Sequence, residues 1–167
     1  HDAAVGGELE GVAELVVADL RELDRIADHE VGLVRRRGEG EGEVAGRGQQ
    51  IARMTDLPAL IDADTGFGEP LNLARTVQTL EDAGVAGLHI EDQVNPKRCG
   101  HLDGKAVVDN DTAVKRIKSA VDARRDENLL IMARTDIRAA EGLDAAIDRA
   151  KMLIDAGADA IFPEAMK

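Results

Sequence analysis

Residues 87–101 read Gly-Leu-His-Ile-Glu-Asp-Gln-Val-Asn-Pro-Lys-Arg-Cys-Gly-His, an apolar run that ends in acid and continues as a polar loop. The run has the length of a buried parallel strand, and the loop carries Cys99, the one cysteine of the chain. Three further apolar runs are followed closely by charge, and they span 59–64, 129–133 and 158–162. Four such runs around one thiol indicate strands whose polar ends form a common rim.

Helical periodicity fills the intervals between these predicted strands. We predict helices over residues 44–54, 70–82, 109–123 and 139–156. The charged residues at the strand ends recur at intervals of 29, 43 and 30 positions, and they are Asp62, Glu91, Arg134 and Glu164. Intervals of about 30 residues match right-handed βαβ units, with the cysteine loop lengthening the middle one. The prediction is an α/β fold of about four βα units, with a barrel favoured over an open sheet.

Residues 1–42 differ in composition from the rest of the chain. Apolar residues between Leu9 and Ile26 recur at helical spacing, which predicts one extra amphipathic helix. The charged, glycine-dotted run 35–42 then predicts an exposed linker. We therefore divide the chain into an unassigned N-terminal helix and linker at 1–42 and a (β/α) domain at 43–167.

The overall composition limits the partners that the chain can take. A net charge of −12 argues against nucleic acid and anionic membranes, because both would repel it. No apolar run approaches the roughly 20 residues of a membrane helix, and no secretory signal is visible. A single cysteine excludes an intrachain disulfide framework and suits a reducing cytosol. We therefore expect a cytoplasmic protein with a small-molecule ligand.

Two carboxylates follow the first predicted strand. Asp62 and Asp64 are two residues apart, so we expect both to point to the same face at the strand end. Hard oxygen donors of this kind suit Mg²⁺, and Glu91 from the next strand end could hold a metal-bound water or transfer a proton. Acids at strand ends can also be merely solvated, but three acids on two adjacent strand ends favour a metal site.

Cys99 is the candidate for a reactive group. A lone cysteine is usually an inert, buried, apolar residue. Here Lys97, Arg98 and His101 are close in the sequence, and cations of this kind stabilise a thiolate, which favours a functional role. Gly100 would let a ligand approach the backbone.

The third predicted strand ends in an arginine. The planar guanidinium of Arg134 can clamp a carboxylate at two points. It can also pair with Asp136 or Glu164, and both interpretations can hold together. His89 lies inside the second strand, and we interpret it as a structural or supporting histidine.

Together these residue types supply a site for a divalent cation, a carboxylate clamp, a base and a thiol acid. That set suits carbon–carbon cleavage of a polycarboxylic 2-hydroxy acid. Deprotonating the hydroxyl would start the scission, and the thiol would protonate the resulting carbanion. The residue types alone do not choose this reaction over other enolate chemistries.

Five motifs carry a resemblance to a known family. They are Ile-Asp-Ala-Asp-Thr-Gly-Phe-Gly at 61–68, His-Ile-Glu-Asp-Gln at 89–93, Lys-Arg-Cys-Gly-His at 97–101, Met-Ala-Arg-Thr-Asp at 132–136 and Phe-Pro-Glu-Ala at 162–165. In this order and spacing, from about Glu43 onward, the sequence resembles the isocitrate lyase/phosphoenolpyruvate mutase superfamily. Isocitrate lyases usually carry Lys-Lys-Cys-Gly-His, whereas Arg98 makes the motif similar to that of the methylisocitrate lyases.

The resemblance implies Mg²⁺-dependent cleavage of 2-methylisocitrate to pyruvate and succinate, in propionate breakdown by the methylcitrate cycle. It implies Mg²⁺ contacts for Asp62 and Asp64. It also implies catalytic roles for Cys99, Glu91, Arg134 and His101, and contacts to a di- or tricarboxylate substrate for Cys99, Gly100, Arg134 and Glu164. Members of the family form (β/α)8 barrels, usually as homotetramers that exchange a C-terminal helix.

About four of the family's eight strands are predicted here, corresponding to the third to the sixth. We therefore expect a partial (β/α)8 barrel, and a truncated or inactive representative of the lyase. Two alternatives stay open, namely a non-catalytic fragment that binds Mg²⁺ and a dicarboxylate, and a sibling activity as isocitrate lyase or oxaloacetate decarboxylase. The cysteine motif disfavours the decarboxylase, because those relatives generally lack it.

Overall fold

The computed structural model describes residues 40–68, 70–99 and 104–165, in which strands and helices alternate. The elements are α1 Glu41–Met54, β1 Leu60–Asp62, α2 Pro70–Asp82, β2 Gly87–Glu91, α3 Asn110–Ala123, β3 Leu130–Thr135, α4 Ile137–Glu141, α5 Leu143–Asp155 and β4 Ala160–Pro163. None of these helices has both the length and the apolar character that crossing a membrane requires. The helix predicted between Leu9 and Ile26 lies outside the described residues, and the proposed domain division stays a prediction.

The four strands form one parallel sheet in the order β1-β2-β3-β4, so neighbours in the sequence are neighbours in the sheet. The register sets Glu91 beside Arg134, and Arg134 beside Phe162. A sequential order of parallel strands is typical of a barrel wall, whereas an open doubly wound sheet reverses its strand order partway. The predicted succession of four βα units is therefore confirmed.

Apolar side chains on one face of the sheet pack against α2, α3 and α5. The strands contribute fully buried Leu88, Ile90 and Ile131. The helices contribute Leu73, Val77 and Leu80 from α2, Ala113, Ile117 and Ala120 from α3, and Ala150 and Leu153 from α5. Because side chains alternate along a strand, the opposite face carries His89 and Glu91 of β2 and Arg134 of β3. The fold thereby separates an apolar, helix-facing layer from a polar layer.

Several predicted boundaries differ from the structure. The strands predicted over 129–133 and 158–162 begin and end one or two residues later, as β3 and β4. α1 begins at Glu41, inside the predicted linker. The helix predicted over 139–156 is two helices, because Gly142 separates α4 from α5 with a φ of 95° that other residues avoid. The strand predicted over 59–64 ends at Asp62, since Asp64 has a φ of 52° and lies in a turn. Strand alternation therefore does not align the two aspartates, and that part of the prediction was wrong.

Candidate active site

The turn after β1 brings Asp64 against the end of β2. The Asp62 carboxylate accepts a hydrogen bond from the backbone N–H of Asp64 at 2.9 Å, and the Asp64 carbonyl accepts one from the backbone of Glu91 at 2.7 Å. Gly66 follows with a φ of 89°, and a Cβ at this position would come within 2.4 Å of the Leu73 side chain. Glycine is therefore required for α2 to pack this closely against the turn.

Glu91 lies at the end of β2 with 1% of its surface exposed. Its carboxylate faces two cations, because the Lys97 ammonium is 3.4 Å away and the Arg134 guanidinium is 3.6 Å away. Burial raises the pKa of Glu91 to about 7, and the two cations oppose that shift without cancelling it. The carboxyl group is thus close to half protonated at neutral pH, which suits a group that accepts and returns a proton.

Lys97 attaches the loop after β2 to the acidic residues at the strand ends. Its ammonium forms an ion pair with Asp64 and lies 3.4 Å from each carboxylate oxygen of Glu91. Cys99 follows two residues later, and its side chain is exposed. The thiol is therefore carried on a loop that is anchored to predicted metal-binding and acid–base residues.

Arg134 lies at the end of β3 among three acids, because Asp136 and Glu164 surround its guanidinium together with Glu91. Its guanidinium is 3.2 Å from Asp136 and 3.5 Å from Glu164, and its carbon lies 5.5 Å from the centre of the Phe162 ring. The fully buried Asp136 also accepts a hydrogen bond from the Lys105 ammonium at 2.9 Å. The ion-pair interpretation of Arg134 is correct, and clamping of a substrate carboxylate stays a prediction beside it.

His89 lies on the same strand face as Glu91 and next to Asp62. Its Nδ1 is 3.8 Å from a carboxylate oxygen of Asp62, and its ring meets the Phe162 ring edge-on at a centroid distance of 5.6 Å. Burial lowers the pKa of His89 and outweighs the opposing effect of Asp62, so the ring is neutral at pH 7. A neutral imidazole forms no ion pair, which agrees with a supporting role.

The carboxylates at the strand ends offer oxygen donors alone, and such donors suit a hard divalent cation. The Lys97 ammonium already lies between Asp64 and Glu91, so the arrangement accommodates positive charge. As they are placed, no three acid, histidine or cysteine side chains within the described ranges surround a common point closely enough to hold a metal. Mg²⁺ usually binds through one or two carboxylates and keeps several waters, and Asp62 with Asp64 fits that requirement.

The structure brings most of the predicted site residues to one edge of the sheet. These residues are Asp62, Asp64, Glu91, Arg134 and Glu164. Cys99 is linked to them through Lys97. Gly100 and His101 lie outside the described residues, so the roles predicted for them stay predictions.

A buried ion pair between Asp92 and Arg149, next to the ends of β2 and β3, was not predicted from the sequence. The Asp92 carboxylate accepts hydrogen bonds from the Thr135 hydroxyl at 2.5 Å, the backbone N–H of Asp136 at 2.9 Å and the Arg149 guanidinium at 2.9 Å. Asp92 and Arg149 are each 3% exposed, so the pair is removed from water. It joins the ends of β2 and β3 to α5.

Arg149 also holds the far end of the cysteine loop. Its guanidinium donates to the Val108 carbonyl and to the Asn110 side chain, both at 2.8 Å. The sequence did contain a signal, because Arg149 interrupts the apolar row of α5, where a buried charge requires a partner. The partner itself could not be read from the sequence.

Known proteins resemble this chain in sequence. The sequence profile of the family described as phosphoenolpyruvate phosphomutase matches residues 42–167. A probable 2-methylisocitrate lyase 1 of Corynebacterium glutamicum is 68% identical over 124 residues, covering 74% of this chain and 41% of the relative. The 2-methylisocitrate lyase of Salmonella typhimurium is 58% identical over 120 residues, covering 70% of this chain and 41% of the relative. The chain thus spans about two fifths of these relatives, a partial coverage like the one predicted.

Solved structures match the fold. A 2,3-dimethylmalate lyase, described as a PEP mutase/isocitrate lyase superfamily member, has a TM-score of 0.74 and 41% identity, covering 76% of this chain and 43% of that one. A phosphonopyruvate hydrolase solved with oxalate and Mg²⁺ has a TM-score of 0.70 and 26% identity, covering 78% and 45%. These likenesses confirm the predicted partial barrel.

Proposed function

This chain belongs to the phosphoenolpyruvate phosphomutase family, and from that premise we propose that it acts as a carbon–carbon lyase that cleaves 2-methylisocitrate to pyruvate and succinate. Relatives at 68% and 58% identity are named as 2-methylisocitrate lyases. Because the chain spans 41% of their length, the reaction is proposed for the whole protein rather than for the four βα units alone.

One observation carries the proposal, namely the position of Lys97. Its ammonium contacts both Asp64 and Glu91, and the thiol of Cys99 follows two residues later. The loop therefore carries a potential proton donor two residues from a lysine that contacts carboxylates suited to a cation and a base. Carbon–carbon cleavage needs a base at the substrate hydroxyl and a proton donor at the carbon that becomes the carbanion.

Two pairs of residues would bind the substrate and the cation. Arg134 would bind a substrate carboxylate, while Glu164, 3.5 Å away, orients the guanidinium. Asp62 and Asp64 would hold the divalent cation, for which we propose Mg²⁺. When bound, that ion supplies positive charge that stabilises the forming keto acid. Gly100 would add a backbone contact to the substrate.

Glu91 and Cys99 would move the protons. Glu91, with a pKa of about 7, accepts the proton of the substrate hydroxyl as the carbon–carbon bond breaks. The electron pair of that bond stays on the carbon that becomes part of succinate. The Cys99 thiol gives its proton to that carbon, and a proton from solvent restores the thiol. His101 would stabilise the transient thiolate.

Pyruvate release tests the proposal directly. The whole protein with Mg²⁺ and 2-methylisocitrate should produce pyruvate, which lactate dehydrogenase detects, and isocitrate and oxaloacetate serve as competing substrates. Cys99→Ser should slow release by about 100-fold or more, because a positioned proton donor typically contributes that much. Succinate binding should persist in this variant. An unchanged rate would remove the thiol from the mechanism.

A second candidate function is binding without cleavage. It needs only the carboxylates of Asp62 and Asp64 for the cation and the guanidinium of Arg134 for a carboxylate, and these residues lie at or just after the ends of β1 and β3 in one sheet. Calorimetry with Mg²⁺ and succinate distinguishes the two. Binding without pyruvate release supports the second candidate, and release of pyruvate excludes it.

The location and assembly of the protein are part of the proposal as well. The family resemblance supports a cytoplasmic homotetramer that acts on a small di- or tricarboxylate. Light scattering of the purified protein measures the mass of the assembly, and a monomer at micromolar concentration would contradict it.

A further inference from the structure

Gln93 follows the acidic end of β2 and faces the backbone of the cysteine loop. The residue is 1% exposed. Its side-chain oxygen accepts a hydrogen bond from the backbone N–H of Arg98 at 2.9 Å, and its side-chain N–H donates to the carbonyl of Arg98 at 3.0 Å. One buried side chain thus holds both polar groups of the residue that precedes Cys99.

The backbone of Gln93 is fixed from two sides. It forms an antiparallel bridge with Val107 on the returning end of the loop. Arg116 of α3 donates to the carbonyl of Gln93 at 3.3 Å and to the carbonyl of Glu91 at 2.6 Å. The amide therefore extends from a fixed point on the barrel wall toward the loop.

We propose that Gln93 is a positioning residue for Cys99, because its amide fixes the backbone of Arg98 and thereby sets where the thiol lies against the acidic strand ends. A carboxamide is suited to this, since it offers one acceptor and one donor side by side, as an adjacent strand does. The inference rests on the proposed function, in which the Cys99 thiol gives a proton to the carbanion.

Gln93 complements the anchor that Lys97 provides. An ammonium on a flexible stem acts as a point charge and tolerates a range of positions against Asp64. Two hydrogen bonds from a planar amide are directional, so they set the orientation of the backbone as well as its distance. Lys97 therefore attaches the loop, and Gln93 defines the conformation in which Cys99 is presented.

Spin labelling can test this role. Cys99 is the one cysteine of the chain, so a nitroxide label attached to it reports on this position alone. Gln93→Met removes both hydrogen bonds at nearly constant size. Gln93→Glu keeps the acceptor and places a second oxygen against the Arg98 carbonyl, which serves as the second variant should the first fail to fold. Gln78→Met is the matched control, since Gln78 is exposed and its amide makes one 3.4 Å hydrogen bond, to the Ala123 carbonyl.

We expect the label to move faster in both Gln93 variants, with its rotational correlation time about two-fold shorter. Hydrogen exchange of the Arg98 backbone N–H should accelerate by about ten-fold in both variants. This N–H loses its acceptor in Gln93→Met, and the geometry of its hydrogen bond changes in Gln93→Glu. Gln78→Met should match the unchanged protein in both measurements. The temperature of measurement is kept well below the melting temperature of every variant.

Two outcomes would overturn the proposal. One is an unchanged label spectrum and unchanged Arg98 exchange in both Gln93 variants. The other is a lower melting temperature with an unchanged spectrum in the folded range, which would assign Gln93 a purely structural role.

The label and exchange measurements use no substrate, so they test the positioning role separately from the proposed lyase reaction. Faster label motion without any pyruvate release would keep the positioning role and remove the function. Where release is measurable, Gln93→Glu should lower kcat with KM within about two-fold, since the thiol acts after substrate binding.

Discussion

At the scale of single residues, Glu91 is a carboxylate that is buried and also lies beside two cations. A carboxylate prefers water, yet this one is 1% exposed and lies beside Lys97 and Arg134. Desolvation is the largest influence and raises the pKa to about 7, so the two cations compensate only in part. The consequence is a group that titrates near neutral pH.

This titration predicts a pH-dependent stability for the metal-free protein. Glu91 ionises near pH 4.5 in the unfolded chain and near 7 in the folded one, so the folded state binds more protons within that window. Stability should therefore fall as the pH rises from 4.5 to 7, by about 3 kcal/mol in all. Urea unfolding with a chelator, at pH values across the window, measures the slope. Glu91→Gln should flatten it, and an equal slope in that variant would assign the effect to another group.

Lys97 leads to a prediction about the affinity for a divalent cation. Its ammonium lies between Asp64 and Glu91, where it repels any second cation that these carboxylates attract. Lys97→Met should therefore bind Mg²⁺ or Mn²⁺ about ten-fold more tightly, as removal of one like charge at a few ångströms implies. Calorimetry measures the affinity. Lys118→Met is the control, because Lys118 is exposed and pairs with Asp122 on α3. Equal or weaker binding in Lys97→Met contradicts the shared site.

At the scale of elements, one ion pair joins α5 to the ends of two strands. Arg149 reaches from α5 to Asp92 after β2, and Asp92 in turn binds the Thr135 hydroxyl and the Asp136 backbone at the end of β3. The cysteine loop begins after Asp92 and ends near Val108, and Arg149 contacts both residues. α5 therefore supports the loop as well as the strand ends. Hydrogen bonds thereby join α5, the ends of β2 and β3, and the two ends of the loop.

Breaking this pair should be costly. Arg149→Met leaves the Asp92 carboxylate buried without its charged partner, so we expect a loss of about 3–5 kcal/mol in the free energy of unfolding. Urea unfolding at neutral pH measures it. Lys151→Met on the same helix is the control and should change stability by less than about 1 kcal/mol, because Lys151 is half-exposed and lies 3.9 Å from Asp148. Equal effects of the two substitutions would show that Arg149 is dispensable.

At the scale of the whole molecule, folding brings the carboxylates of Asp62, Asp64, Glu91 and Glu164 to one edge of the sheet. A cation that binds there stabilises the folded state alone, because the carboxylates come together only on folding. At a concentration about 100 times the dissociation constant, Mg²⁺ should add about 2.7 kcal/mol to the free energy of unfolding.

A melting experiment checks this linkage. The melting temperature should rise by several degrees with Mg²⁺ and return on chelation, and Asp62→Asn should abolish the rise. Asp122→Asn on the exposed face of α3 is the control and should keep it. NaCl at matched ionic strength separates binding from general screening. A rise of equal size in NaCl would argue against a specific site.

Local patterns in the sequence were enough to predict the succession of βα units and the residue types of the site. Hydrophobic periodicity follows from backbone geometry, so the helices over 70–82 and 109–123 and the strand at 87–91 were predicted almost to the residue. Parallel strands place their carboxyl ends together, so Glu91 and Arg134 could be expected at one edge. The motifs then indicated the chemistry of that edge.

The pairing of these residues depends on the folded chain and could not be predicted from local patterns. Asp92 and its partner Arg149 are 57 positions apart in the sequence, and Lys105 and its partner Asp136 are 31 positions apart. At such separations no local pattern determines which residues pair. The turn at Asp64 and the break at Gly142 depend on single backbone angles that packing selects. The pKa of Glu91 depends on burial, which exists only once the helices and the loop exclude water. Local order follows from the chain itself, whereas pairing and desolvation follow from the space that the folded chain encloses.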